Sequence, residues 1–220
     1  MKTRSKGIWR NPTLYVLIFM ALCMALSLFG ARVSRLPVLV GVLYFIIRKA
    51  LDKTPWDQMG MDIRVVPGKL FKRGLSIWFL LLLPVTLGAL SILLSHWLLP
   101  AWNTYIASGA QGTLSQGQIL PVVAQLAVLA LGEEIAWRGL FQRQLAKRMP
   151  PWAAIAVTSA VFACGHYFVA DVQVVIFDLA FVFLNSVAYG IVFHKTGSVW
   201  VSWIAHLLAN MFAVFWLLGA

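Results

Sequence analysis

Residues 118–139 read QILPVVAQLAVLALGEEIAWRG. From Gln118 to Leu131 the run is almost wholly apolar, and it then meets Glu133, Glu134 and Arg138 within one and a half helical turns. Only seven acidic residues exist in the 220, and two of them stand here side by side. A charged side chain at the centre of a membrane helix costs about 2.5–3.5 kcal/mol on insertion scales. Charges kept at that cost mark a functional site by default, with partners on other membrane segments.

The whole chain agrees with a membrane setting. It is 61% hydrophobic and 11% charged, with a mean hydropathy of +0.84. A soluble domain is nearer half apolar and a quarter charged. The formal charge of +11 does not point to nucleic acid, because the basic residues flank apolar spans and form no patch on a soluble domain. Cys23 and Cys164 both lie in apolar runs, which suggests neither a disulfide framework nor a cysteine-ligated metal.

Working outward, Lys2, Arg4, Lys6 and Arg10 precede an apolar stretch from Thr13 to Gly30. That stretch is too long for a signal peptide, and Leu28 and Phe29 stand where a cleavage site wants small residues. It reads as an uncleaved first span. A weaker second span runs from Leu36 to Ile47, and residues 48–73 form a polar connector with Asp52, Asp57, Asp62 and seven Lys or Arg. A third span follows from Gly74 to Leu99, then an uncharged Gly-, Ser- and Thr-rich loop from Ala101 to Gly117. The fourth span passes through the acidic island to Arg148 and stops at Pro150-Pro151, since proline breaks a helix. The fifth covers Trp152–Phe168, the sixth Val172–Phe193 and the seventh Val199–Leu218. Seven spans with the N-terminus inside put sixteen of eighteen Lys and Arg on the inner side, leaving only Arg32 and Arg35 outside, as the positive-inside rule asks. On this reading the membrane is a plasma membrane, with the motif-bearing helices opening towards the cytoplasm.

Three constellations carry chemistry. Glu134 and Arg138 are four apart and share a helical face, whereas Glu133 is turned about 100° away. Phe162-x-x-x-His166 lies near the outer end of span five. A lone histidine in an apolar helix usually packs in a core, but Glu133 and His166 lie about 25 Å from the tip at Pro150, level across an antiparallel hairpin. His206-x-x-x-Asn210 lies in span seven, both on one face, in a segment where an unmatched polar group is expensive. A Glu and a His can activate water, and a His with an Asn can donate to an oxyanion. No GxSxG, HExxH or Gly-rich phosphate loop is present, so the serine-hydrolase, zincin and nucleotide-driven pump readings lose support.

In this order and spacing, Glu133-Glu134-Ile135-Ala136-Trp137-Arg138, Phe162-Ala163-Cys164-Gly165-His166 and His206-Leu207-Leu208-Ala209-Asn210 resemble the EExxxR, FxxxH and HxxxN/D motifs of the CAAX-protease and bacteriocin-processing (CPBP or Abi) family. The resemblance covers residues 131–210 and implies an intramembrane endopeptidase acting on a membrane-associated protein or peptide. By motif position Glu133 and His166 would activate the water and His206 and Asn210 would bind the oxyanion. Glu134, Arg138 and Phe162 would support them. The family has been described both as metal-independent glutamate proteases and as metalloproteases. The metal-independent form, with no cofactor, is the expectation, and the zinc alternative would use Glu133, His166 and His206. The compact chain looks more like a bacterial member.

The fold expected is therefore an all-α integral membrane protein of about seven transmembrane helices, with the catalytic core in the last four. Residues 1–110 would be N-terminal helices and a basic cytoplasmic connector, and residues 111–220 a CPBP-type helical core, in one membrane domain. The partners expected are a substrate peptide and the lipid bilayer, without nucleic acid; oligomeric state is left open. Asp178 and Asn185, seven apart in span six, fall roughly on one face and either line the cavity or bond to neighbouring helices. Two rivals stand beside the protease: a non-catalytic immunity factor or regulator, and a proton-coupled carrier, which would show paired, interrupted repeats that this chain lacks.

Overall fold

The computed structural model describes residues 12–53, 59–66, 68, 75–114 and 119–219. The basic residues Lys2 to Arg10, together with Asp57, Lys69, Lys72 and Arg73 of the connector, lie outside the described residues. Among the described residues eight α-helices longer than one turn follow in order: α1 (Pro12–Ser27), α2 (Leu36–Asp52), α3 (Leu75–Leu98), α4 (Pro100–Leu114), α5 (Ile119–Glu134), α6 (Pro151–Cys164), α7 (Val172–Thr196) and α8 (Val199–Gly219). No strand occurs among the described residues. The protein is all-α.

Among the described residues four helical stretches are long and apolar enough to cross a bilayer: Ile77–Leu98, Leu120–Leu145, Val172–Thr196 and Val199–Trp216. Two other helices at expected span positions, Pro12–Ser27 and Pro151–Cys164, are apolar but shorter. At 14 residues, α6 reaches about 21 Å against a hydrocarbon layer of about 30 Å. Pro151 opens it and Gly165 closes it, so it ends four residues before Phe168.

The uncharged stretch 101–117 is not a loop over most of its length. It folds as α4, and what overrides its weak helix propensity is docking against neighbours. Trp102 is buried, packs edge-on against Phe177 and donates Nε1–H to Asp178 at 3.0 Å. The Ser95 hydroxyl donates to Asn103 across the α3–α4 junction at 2.9 Å.

The two ends of the bundle differ in chemistry. At one end the backbone N–H of Val199 donates to the Gly60 carbonyl at 2.9 Å, and Trp200 Nε1–H to that of Met61 at 2.8 Å. This seats the connector on the α7–α8 turn. Gly60 has φ +75, and a Cβ there would fall 2.7 Å from both Arg143 Nη2 and the Gly197 carbonyl, so the seat requires glycine. With Arg48, Arg143, Lys147 and Arg148 around one cleft, this is the basic end. At the far end the α1–α2 turn meets residues 167–169, and Tyr105 of α4 stacks on Phe168 at 4.4 Å.

Two hydrophobic clusters flank the chemistry. One joins Leu17, Met20 and Met24 of α1 and Phe45 of α2 to Trp137, Leu140, Phe141 and Phe162. The other joins Ile77 and Leu81 of α3 to Tyr189 and Val192 of α7 and Val201 and Ala205 of α8.

Candidate functional site

The acidic island falls where helix geometry changes. α5 ends at Glu134, and Ile135–Gln142 continues as a π-helix before a last turn, Arg143–Leu145. Wide π turns inside helices concentrate at functional sites. Every residue from Ala136 to Gln142 is buried, because neighbours enclose the segment. A Cβ on Gly139 would meet Phe45 of α2 at 3.2 Å and Val199 of α8 at 3.3 Å. The Gln142 amide donates to the Gly190 carbonyl of α7 at 3.0 Å.

Glu134 is wholly buried and fully engaged. It pairs with Arg138 at 3.0 Å, accepts the Ser202 hydroxyl at 2.5 Å and meets His206 Nδ1 at 2.9 Å. Burying a carboxylate demands this degree of compensation. With Nδ1 facing Glu134, the other nitrogen of His206, Nε2, turns to Glu133 Oε2 at 3.8 Å. That gap exceeds a hydrogen bond and is a separation that a water molecule can bridge. Glu133 keeps 26% of its side-chain surface exposed while Glu134 keeps none. Of the two adjacent carboxylates, Glu134 anchors and Glu133 has access.

Arg138 fixes the floor. Its Nη2 donates to the carbonyl and the hydroxyl of Ser186 at 3.0 and 2.9 Å. Its guanidinium lies between the rings of Phe162 and Tyr189, 5.2 Å from each centroid, within cation–π range. The His206 imidazole stacks on Tyr189 at 4.3 Å, and the His166 ring lies tilted against Phe162 at 4.6 Å. A continuous chain of ring and cation–π contacts, His166–Phe162–Arg138–Tyr189–His206, thus ties the three motifs together.

The structure joins Glu134, Arg138 and His206 by direct polar contact, sets Glu133 3.8 Å from His206, and adds Phe162 through its ring. His166 follows the end of α6, its Nδ1 3.1 Å from the Phe162 carbonyl. Among the described residues no hydrogen bond or ion pair links it to Glu133. Asn210, one turn beyond His206, lies on the wall of a cavity of about 450 Å³ between α3, α4, α7 and α8. Tyr189 and Asn210 mark its deep end, and His96, Trp102 and Asn103 mark the far end of the bundle. The cavity therefore fills the half away from the basic end. A second cleft of about 510 Å³ opens at the basic end, where Gly139, Leu140 and Arg143 line it, and among the described residues none of the three motifs contributes to its lining. The apolar cavity thus lies away from the basic end, the end expected from the sequence to face the cytoplasm.

Among the described residues no three His, Cys, Asp or Glu side chains converge to hold a metal ion. Glu134 engages His206 Nδ1, and the Phe162 carbonyl engages His166 Nδ1, which leaves Nε2 of each ring for a further partner.

Sequence reading missed Ser202, Ser186, Tyr189 and Gln142. Ser202 had a signal, since it precedes His206 by one turn on the same face. Ser186, Tyr189 and Gln142 had none.

The family model described as Rce1-like, type II CAAX prenyl endopeptidase, matches residues 115–212. All three motifs fall within the match. No curated protein and no solved structure matches the chain.

Proposed function

From the premise that residues 115–212 match the Rce1-like type II CAAX prenyl endopeptidase family, we propose that this multi-pass membrane protein is an intramembrane endopeptidase. It hydrolyses a peptide bond of a membrane-associated protein or peptide, using Glu133, His166, His206 and Asn210. The observation that carries the reading is the imidazole of His206 held between two glutamates, Glu134 at Nδ1 and Glu133 opposite Nε2.

Glu133 takes a proton from the attacking water, which His166 helps to orient. The water oxygen bonds to the scissile carbonyl carbon, and the oxyanion that forms accepts hydrogen bonds from the Asn210 amide and from Nε2–H of His206 in its imidazolium form, whose Nδ1–H donates to Glu134. Glu133 then returns its proton to the departing amine as the C–N bond breaks. Glu134 and Arg138 act as positioning residues: they hold the Nδ1 side of His206 so that its other nitrogen faces the substrate. These steps use protein groups alone. The bilayer keeps bulk water from the cavity and strengthens the electrostatic contacts inside.

The test compares wild type with Glu133→Gln at matched membrane levels, reading membrane and secreted peptides by mass spectrometry. Removing a general base is expected to slow cleavage by about 10²–10⁴-fold. Product peptides should disappear in Glu133→Gln and again in His166→Ala. Identical peptide profiles in wild type and both variants would overturn the proposal.

A further inference from the structure

The cavity of about 450 Å³ has a charge pattern that the family match does not supply. Its walls come from α3, α4, α7 and α8. From Gly74 through Gly132, across α7 as far as His194, and from Thr196 to the end, the sequence contains no Lys or Arg. Within the cavity stands Asp178. Among the described residues it makes one hydrogen bond, from Trp102 Nε1–H to Oδ1, and no ion pair. His166 lies within electrostatic reach of it, short of a salt bridge. Two turns deeper on α7, Asn185 also lines the cavity, and its Oδ1 is buried without a hydrogen-bond partner. Buried acceptors of this kind call for a donor.

We propose that this cavity binds an apolar peptide segment carrying one protonated amine, seated against Asp178, and disfavours a free C-terminal carboxylate. An ammonium offers three donors and the charge that Asp178 lacks as a partner. Asp178 and Asn185 are seven residues, about 10 Å, apart along α7. Three residues of an extended chain span that distance. A segment with its cation at Asp178 therefore runs along α7 past Asn185 towards Asn210. A terminal carboxylate in the same place would meet a carboxylate and no cation. The proposal deepens the endopeptidase reading, but binding is measured without turnover.

The experiment uses the full chain in detergent and blocked seven-residue leucine–alanine peptides whose central residue is Lys, Gln or Glu. A fourth probe is the Gln peptide with a free C-terminal carboxylate. Affinities are read by calorimetry in wild type, Glu133→Gln and Asp178→Asn. The Lys peptide should bind at least tenfold more tightly than Gln, with Glu and the free carboxylate weaker than Gln. Asp178→Asn keeps an acceptor for Trp102 and should shrink the Lys preference to under twofold. Equal binding of Lys and Glu peptides, or a Lys preference surviving in Asp178→Asn, would overturn the proposal. If Asp178→Asn does not fold, the wild-type comparison of Lys with Glu decides. Glu133→Gln should keep the preference, so loss of cleavage with intact binding separates this proposal from the catalytic one.

Discussion

Adjacent in sequence, Glu133 and Glu134 do opposite things because of what surrounds them. Glu134 has no exposed surface and three partners, whereas Glu133 is a quarter exposed and 3.8 Å from a ring nitrogen. Removing one partner of a buried ion pair leaves the other charge uncompensated, at a cost of about 3–5 kcal/mol. Arg138→Ala should therefore lower stability by that order in denaturation of the detergent-solubilised protein. Ser202→Ala, which removes one hydrogen bond to a charged group, should lose about 1.5–3 kcal/mol. Glu133→Gln should melt like wild type, since it anchors nothing. A large destabilisation by Glu133→Gln, or none by Arg138→Ala, would reverse the roles given to the two carboxylates.

Among the elements, the π segment Ile135–Gln142 depends on close approach by its neighbours. A Cβ on Gly41 of α2 would stand 2.8 Å from that of Ala136 and 3.2 Å from Met20. Overpacking of this sort costs about 1–3 kcal/mol. Gly41→Val should push α2 from the π segment, lowering both thermal stability and cleavage, while Gly88→Ala should be tolerated, because its Cβ would meet Phe212 at an ordinary 3.5 Å. Comparison of the two melting curves checks this, and equal melting would show that α2 is not tightly seated. Most helices were legible from apolar runs bounded by charge and proline, as α7 and α8 were nearly to the residue. The π turn was not, since its cause lies in packing around residues 136–142. Nor was α4, whose Gly, Ser and Thr content argues for a loop until Trp102 finds Asp178.

For the molecule as a whole, the basic end and the apolar cavity lie in opposite halves. If the basic segments face the cytoplasm, as the positive-inside rule expects, the cavity mouth at Asn103 faces outwards. With Cys23 and Cys164 replaced by alanine, Asn103→Cys should react with a membrane-impermeant maleimide added to intact cells. Lys147→Cys should react only after the cells are opened. The reverse pattern would invert the topology and return the cavity to the cytoplasmic side.

By itself the sequence determined the all-α membrane class, the order of the three motifs and the Glu134–Arg138 pairing. Hydropathy, proline breaks and four-residue spacing are local properties that the chain displays without folding. Only the tertiary structure decided that His206 sits between the two glutamates and that Tyr189 and Phe162 enclose Arg138. Such contacts join residues 24 to 73 positions apart, whose mutual depth and rotation are set by how helices pack. No spacing rule within one helix contains that information.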